Sequence, residues 1–204
     1  QDESENVEFK GSWGLDIKAL IKLNNIILKD EISHEILKNI AGMLNKNGGD
    51  IYIGVLEKID FENDDDSLGW LKLDKAEILD DKIIFGVERE LPHIPGRKKD
   101  IDTYILNISQ KIENTLGASV LPYISITPNV IDEKSVIKVS INTSGFENKN
   151  GVWYSNEVEK KIYNDVFYLR SNRKTIRLSA ADAVAFLTSG KYDEKVMEGK
   201  EDVP

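Results

Sequence analysis

The chain has 204 residues, 40% hydrophobic and 31% charged, with a formal charge of −9 and a pI near 4.9, which suits one domain with a sizeable core or a domain carrying an insertion. Zero cysteines exclude disulfides and a zinc–cysteine site, and His34 and His93 alone leave little for a histidine-rich metal centre. No apolar run approaches a membrane span and no basic-then-apolar leader opens the chain, so the expected setting is cytoplasmic, without a membrane partner. Gln1 at the start and the polar stretch from Met197 to Pro204 at the end predict a piece of something longer. The acidic balance argues against a surface coated with nucleic acid, yet the charge is clustered. Asp60, Glu62, Asp64, Asp65 and Asp66 form an acidic patch, whereas Arg97 to Lys99 and Arg170, Arg173, Lys174 and Arg177 form basic ones.

In chain order, Val7 and Phe9 alternate with Glu8 and Lys10, the period of a half-buried strand with Glu8 and Lys10 on one face. Gly11 to Lys29 shows no single period and reads as a mixed segment. Ile32, Ile36, Leu37, Ile40, Ala41 and Leu44 then recur at helical intervals, predicting a helix of about four turns. It should be capped by Asp30 or Ser33, stop near Asn47 and close on Gly48 in a left-handed turn. Ile51 to Val55 follows as a β-branched strand. Glu57 to Lys75 reads as an acidic loop or ribbon with Trp70 and Leu71 tucking back, within an insertion over 57–80, and Lys82 to Val87 as another strand.

Pro92, Pro95 and Gly96 mark a loop, after which Ile105, Ile108, Ile112 and Leu116 predict a helix over Ile101 to Leu116, ended by Gly117. Three strands are expected next, at Ile124 to Thr127, Val136 to Ile141 and Val166 to Arg170, with a hairpin turn at Asp132 and Glu133 and a polar loop over Ser144 to Lys161. Ser179 and Asp182 open a last helix with Ala183, Val184, Phe186 and Leu187 on or near its buried side. The order predicts an α+β domain over 1–190, a mixed and mostly antiparallel sheet packed with about three helices, and a polar tail or linker over 191–204.

Carboxylates converging on a point hold Mg²⁺ or Mn²⁺, and such an ion activates water and neutralises charge on a phosphate. Glu3, Glu8 and Glu57 meet that description on one condition, that the N-terminal strand lies beside the Ile51 to Val55 strand. Lys10, on the face of Glu8, is then placed to stabilise developing phosphate charge. The competing reading is plain solvation, since the chain has 36 acids. Gly48, Gly49 and Gly54 lack the spacing and the lysine of a nucleotide loop, which argues against ATP and for a tight helix-to-strand turn. Tyr168, Arg170, Arg173, Lys174 and Arg177 place four cations in eight residues without an acid. They read either as an aromatic-flanked edge that tracks a nucleic-acid backbone or as solvated cations on an exposed strand. His34, beside acids, is expected on the surface, and His93, between prolines, in a loop.

Four stretches in this order resemble the Schlafen/AlbA-like domain family, its bacterial DNA-binding members in particular, over about Glu3 to Leu187. They are ESENVEFK (Glu3 to Lys10), MLNKNGGDIYIGV (Met43 to Val55), DIDTYILNI (Asp100 to Ile108) and FYLRSNRKTIRLSAADAVAFL (Phe167 to Leu187). The resemblance implies a Schlafen/AlbA-like α+β core, binding of RNA or DNA and, in active members, metal-dependent endoribonuclease cleavage of structured RNA such as transfer RNA. It implies family acids at the positions of Glu3, Glu8 and Glu57, the first two five residues apart and the third two positions after Gly54–Val55.

Three functional readings follow. One is a Mg²⁺- or Mn²⁺-dependent endoribonuclease using Glu3, Glu8, Glu57 and Lys10, with Arg170 to Arg177 positioning the substrate. A second, placed ahead of it, is a non-catalytic DNA or RNA sensor module of a larger regulatory or defence protein. The third is a protein-interaction domain, or a homo-oligomer, built on the acidic ribbon around Asp60 to Asp66.

Overall fold

The structure is a computed structural model that describes residues 6–61, 77–146, 150–171 and 174–189. Glu3, Arg173, the ribbon over 62–76 and the tail after 189 lie outside the described residues.

The fold is α+β. β1 (Val7–Lys10) runs parallel to β2 (Gly49–Ile53), and β7 (Lys134–Ile141) and β6 (Ile124–Ile131) complete an antiparallel extension in the order β1-β2-β7-β6. β3 (Val55–Glu57), β4 (Glu77–Leu79) and β5 (Lys82–Ile84) make a second sheet, ordered β3-β5-β4. A third is built from β8 (Trp153–Val158), β9 (Lys161–Ser171) and β10 (Lys174–Leu178), in the order β10-β9-β8. Four α-helices are described: α1 (Ile17–Leu23), α2 (Asp30–Leu44), α3 (Ile101–Leu116) and α4 (Ala180–Ser189). That is one more than expected, because α1 emerges from the segment without a clean period, capped by Asp16, which accepts from Ala19 N at 2.9 Å.

The main core lies where α2 and α3 meet the first and third sheets. Ile36, Leu37, Ile40 and Met43 of α2 and Ile108 and Ile112 of α3 pack with Ile51, Ile53, Ile137 and Val139 from one sheet and Tyr154, Val166 and Tyr168 from the other. The helical period read from the sequence is thus the buried stripe of each helix. α3 starts where Asp100 accepts from Thr103 N at 2.9 Å and stops at Gly117. α2 starts without the expected cap: Lys29 is the capping residue, Asp30 lies in the first turn, and Ser33 bonds back to the Asp30 carbonyl. An acid in the first turn still favours the helix through its dipole.

The paired glycines after α2 are architectural. Gly48 has φ 72° and donates to the Met43 carbonyl, and a Cβ on it would sit 2.3 Å from the Ile141 carbonyl oxygen; on Gly49 the corresponding approach is 2.5 Å, to Asn6 O. Only glycine permits that backbone contact. Asn45, just before them, uses both halves of its amide, donating to Val152 O and Tyr168 O and accepting from Val152 N at 2.7 to 2.9 Å. It ties the end of α2 to β8 and β9.

Other expectations change in the structure. The strand predicted as Ile51 to Val55 breaks at Gly54, whose N–H bonds to Lys10 O and whose carbonyl accepts from Phe85 and Gly86, so the chain passes from the first sheet into the second. β8 and β10 are additions to the expected strands; the first lies inside the expected polar loop and is turned into β9 by Glu159 and Lys160, both at positive φ. The Asp132–Glu133 turn has the same geometry, the twist a two-residue hairpin needs. In α4, Ser179 and Asp182 form the expected reciprocal cap and Ala183 is buried, but Val184 is exposed. His34 is buried against Tyr154 and Tyr163, with its Nδ1 hydrogen-bonded to the Tyr154 hydroxyl, rather than lying on the surface. His93 is exposed in a short 3-10 turn, as expected.

Candidate nucleic-acid interface

The strand β1 carries Glu8 on its inner side. Its neighbour Phe9 faces the other way and stacks on Tyr52 at 5.6 Å, only partly buried. Glu8 is 6% exposed and Arg170, on the third sheet, is 2% exposed. Arg170 Nη2 donates to Glu8 Oε2 at 2.6 Å, Lys10 Nζ lies 2.6 Å from Glu8 Oε1, and Asn39 of α2 donates to the same oxygen at 3.2 Å. The Asn39 carbonyl accepts from Thr175 at 2.6 Å and from Arg170 Nη1 at 3.4 Å. Each charge and each half of the amide has a partner, which a buried polar network requires.

Gly42 makes the network reachable. A Cβ there would stand 3.1 Å from Arg170 N and Thr175 Cγ2 and 3.3 Å from Leu169 C, so its absence lets β9 press against α2, one turn from Asn39. Glycine inside a helix costs about 1 kcal/mol relative to alanine. The close approach offsets it.

The structure corrects the expected place of Tyr168 and Arg170. The run of cations predicts a solvent-facing basic edge, yet both residues are buried: Arg170 is held by Glu8, and Tyr168 packs edge-on to Tyr154 in the core, with its hydroxyl pKa pushed up by burial. Their side of β9 faces α2, whereas the sequence pattern alone leaves the face of a strand open. Lys174 and Arg177 of β10 remain exposed. Around the same end of the α2–β9 seam stand Lys10, 30% exposed at its side chain, and Lys38, whose Nζ lies 5.5 Å from the Tyr168 ring centroid and 2.9 Å from Glu35. Arg177, paired with Tyr168 and on the Thr175 side of β10, joins Lys38 there, while Lys174 alternates to the side of Ile176.

Glu57, at the end of β3, is held elsewhere. Its Oε1 is 3.1 Å from Lys82 Nζ, which also pairs with Asp81 at 2.5 Å and lies 4.9 Å from the Phe9 ring centroid. Burial opposes the charge on Lys82, but the bonds to Asp81 and Glu57 outweigh it and hold its pKa above the ordinary lysine value. Lys82 lies against Phe9, which alternates with Glu8 along β1, so Glu57 and Glu8 are each paired to a different cation. A Mg²⁺ or Mn²⁺ ion needs free carboxylate oxygens. Here both oxygens of Glu8 take donors from cations, and among the described residues no group of three or more His, Asp or Glu side chains is placed to hold a metal.

No protein-family model and no curated protein matches the chain. A crystal structure of the DIP2311 protein from Corynebacterium diphtheriae is similar, with a TM-score of 0.48 and 13% identity over 91% of this chain. The likeness spans 27% of that protein's chain. Among the described residues no helix is long and apolar enough to cross a membrane.

Proposed function

We propose that this domain binds nucleic acid through the cations that rim the α2–β9–β10 seam, as a Schlafen/AlbA-like module that recognises RNA or DNA without needing to cut it. The reading is supported by one observation above the rest: Arg177 is exposed on β10 opposite Tyr168, whose ring Lys38 overlies, while Lys10 is part-exposed over Glu8, an acid cancelled by Arg170, and Lys174 is exposed at the start of the same strand. A phosphate backbone approaching that rim meets positive charge despite the net −9 of the chain. Strand-borne cations of this kind contact phosphates and carry no base readout, so the expected binding is weakly sequence-dependent.

Metal-dependent cleavage at Glu3, Glu8 and Glu57 is the neighbouring proposal, and it asks more of the molecule. Glu8 would have to release Arg170 and Lys10, and Glu57 would have to release Lys82, before the two shared an ion. Anisotropy titrations of transfer RNA and single-stranded DNA at rising salt, each repeated with Mn²⁺ and followed on denaturing gels, separate the outcomes. Salt-dependent binding with intact strands supports the module, Mn²⁺-dependent fragments that disappear on Glu57→Gln support cleavage, and no binding to either strand at low salt overturns both.

A further inference from the structure

Away from the cationic rim, a cavity of about 480 Å³ opens between the segment after β1, the loop before α3 and α3 itself. It falls in the range of small-molecule sites. Glu90 and Tyr104 line it together with Trp13, Ile94, Asn107 and Asn114. Glu90 is 3% exposed, and its oxygens accept one backbone N–H each, from Trp13 at 3.0 Å and Gly14 at 3.1 Å. A carboxylate oxygen has two acceptor positions, so each retains one. Tyr104 is 1% exposed, and its hydroxyl stands against the Glu90 carboxylate without a well-formed hydrogen bond. Buried polar groups left open in this way are rare in folded proteins. The two stand side by side, since the Glu90 charge adds to the burial that raises the Tyr104 pKa.

We infer that this cavity is a binding site for a small organic cation of the amidinium or guanidinium class, held by the acceptor capacity of Glu90 that the two backbone amides leave, with the Tyr104 hydroxyl beside it completing the polar floor. The floor is rich in acceptors, so an occupant must bring N–H groups, and a planar fork of two parallel N–H donors matches a carboxylate in both geometry and charge. Burial disfavours the ionised form of Glu90 and lifts its pKa to about 7, and a cation restores that form. Trp13 and Ile94 cover the carbon frame of such a ligand, and the amides of Asn107 and Asn114 stand along the α3 wall. The other charges on the lining are answered nearby: Lys29 pairs with Asp16 at 2.7 Å and Lys111 with Asp30 at 3.8 Å. The overall charge of −9 also favours a cationic occupant over an anionic one. This site does not depend on the nucleic-acid reading.

Benzamidine is a suitable probe, with benzoate as its anionic counterpart of the same shape, each titrated at pH 8 by calorimetry and by amide chemical shifts. Benzamidine is expected to bind and to move the amide signals of Trp13 and Gly14, which Glu90 holds, whereas benzoate does neither. Glu90→Gln should weaken binding about tenfold or more, the scale of a charged hydrogen bond, and Tyr104→Phe by a smaller factor. Absence of benzamidine binding, equal binding of benzoate, or binding that leaves both amides unmoved overturns the proposal. If Glu90→Gln does not fold, Tyr104→Phe and the shifts in the unaltered chain decide it.

Discussion

Two buried carboxylates in this protein have opposite fates. Glu8 finds Arg170, Lys10 and Asn39 within its own chain, and its neighbours in turn are satisfied. Among the described residues Glu90 takes two backbone amides and stands beside a tyrosine hydroxyl that makes no well-formed hydrogen bond, at the wall of a cavity. A closed network answers its own charge and so holds α2, β1 and β9 together, whereas an open one keeps its capacity for something from outside. Burial of an acid is therefore no guide to function until its partners are counted.

The largest effect expected is on the closed network. Arg170→Ala or Glu8→Ala should each cost about 3–5 kcal/mol of folding stability, because either leaves an uncompensated buried charge. Urea denaturation measures it, and an apolar pair such as Glu8→Leu with Arg170→Met should recover most of the loss. The open site should respond to pH instead. Glu90 has its folded pKa raised to about 7 from an ordinary 4.5, so between those values the folded state holds more protons than the unfolded one. Stability from this group is therefore present below about pH 4.5 and falls as pH rises to about 7, by about 3 kcal/mol in all. Denaturation midpoints at pH 5 and pH 8 should differ more in the unaltered protein than in Glu90→Gln.

Packing between the helix and the strand gives a smaller effect. Gly42→Ala should lose about 1–3 kcal/mol through overpacking against Arg170 N and Leu169 C, even though alanine is the better helix former. A thermal scan in which Gly42→Ala matches or exceeds the unaltered chain would show that β9 yields easily. Least of all, Lys174→Ala and Arg177→Ala should move stability by no more than about 0.5 kcal/mol, since both are exposed.

How much of this is readable in the sequence follows from the distance over which each feature is specified. α3 and most of α2 are legible because apolar residues three and four apart carry their own period, and α3 stops at Gly117, where its glycine puts the end. The Asp132–Glu133 hairpin is legible for the same local reason. β8 is not, because Ser155, Asn156 and Glu157 look like loop residues, and its pairing with β9 is made at a turn without glycine. In β1 the alternation is visible but its sense is not: Glu8 points inward because its partner lies 162 positions away. The same nonlocal pairing hides the burial of Arg170 in a run of cations that looks uniformly exposed. Asn39, Thr175 and Lys82 carry no signal of their own, and neither does Glu90, which sits among prolines and has its partners at Trp13 and Gly14.

The proposed interface is tested most directly by the salt dependence of transfer-RNA binding in three folded proteins: the unaltered domain, Lys174→Ala with Arg177→Ala, and Arg97→Ala with Lys98→Ala. The second pair removes exposed cations from the loop before α3 and leaves the β10 rim intact. If the rim is the binding surface, the first pair weakens binding and lowers the slope of log K against log salt by about 1–2, roughly one for each phosphate no longer neutralised, while the second pair changes neither. Unchanged binding in Lys174→Ala with Arg177→Ala, or an equal loss in both pairs, contradicts it.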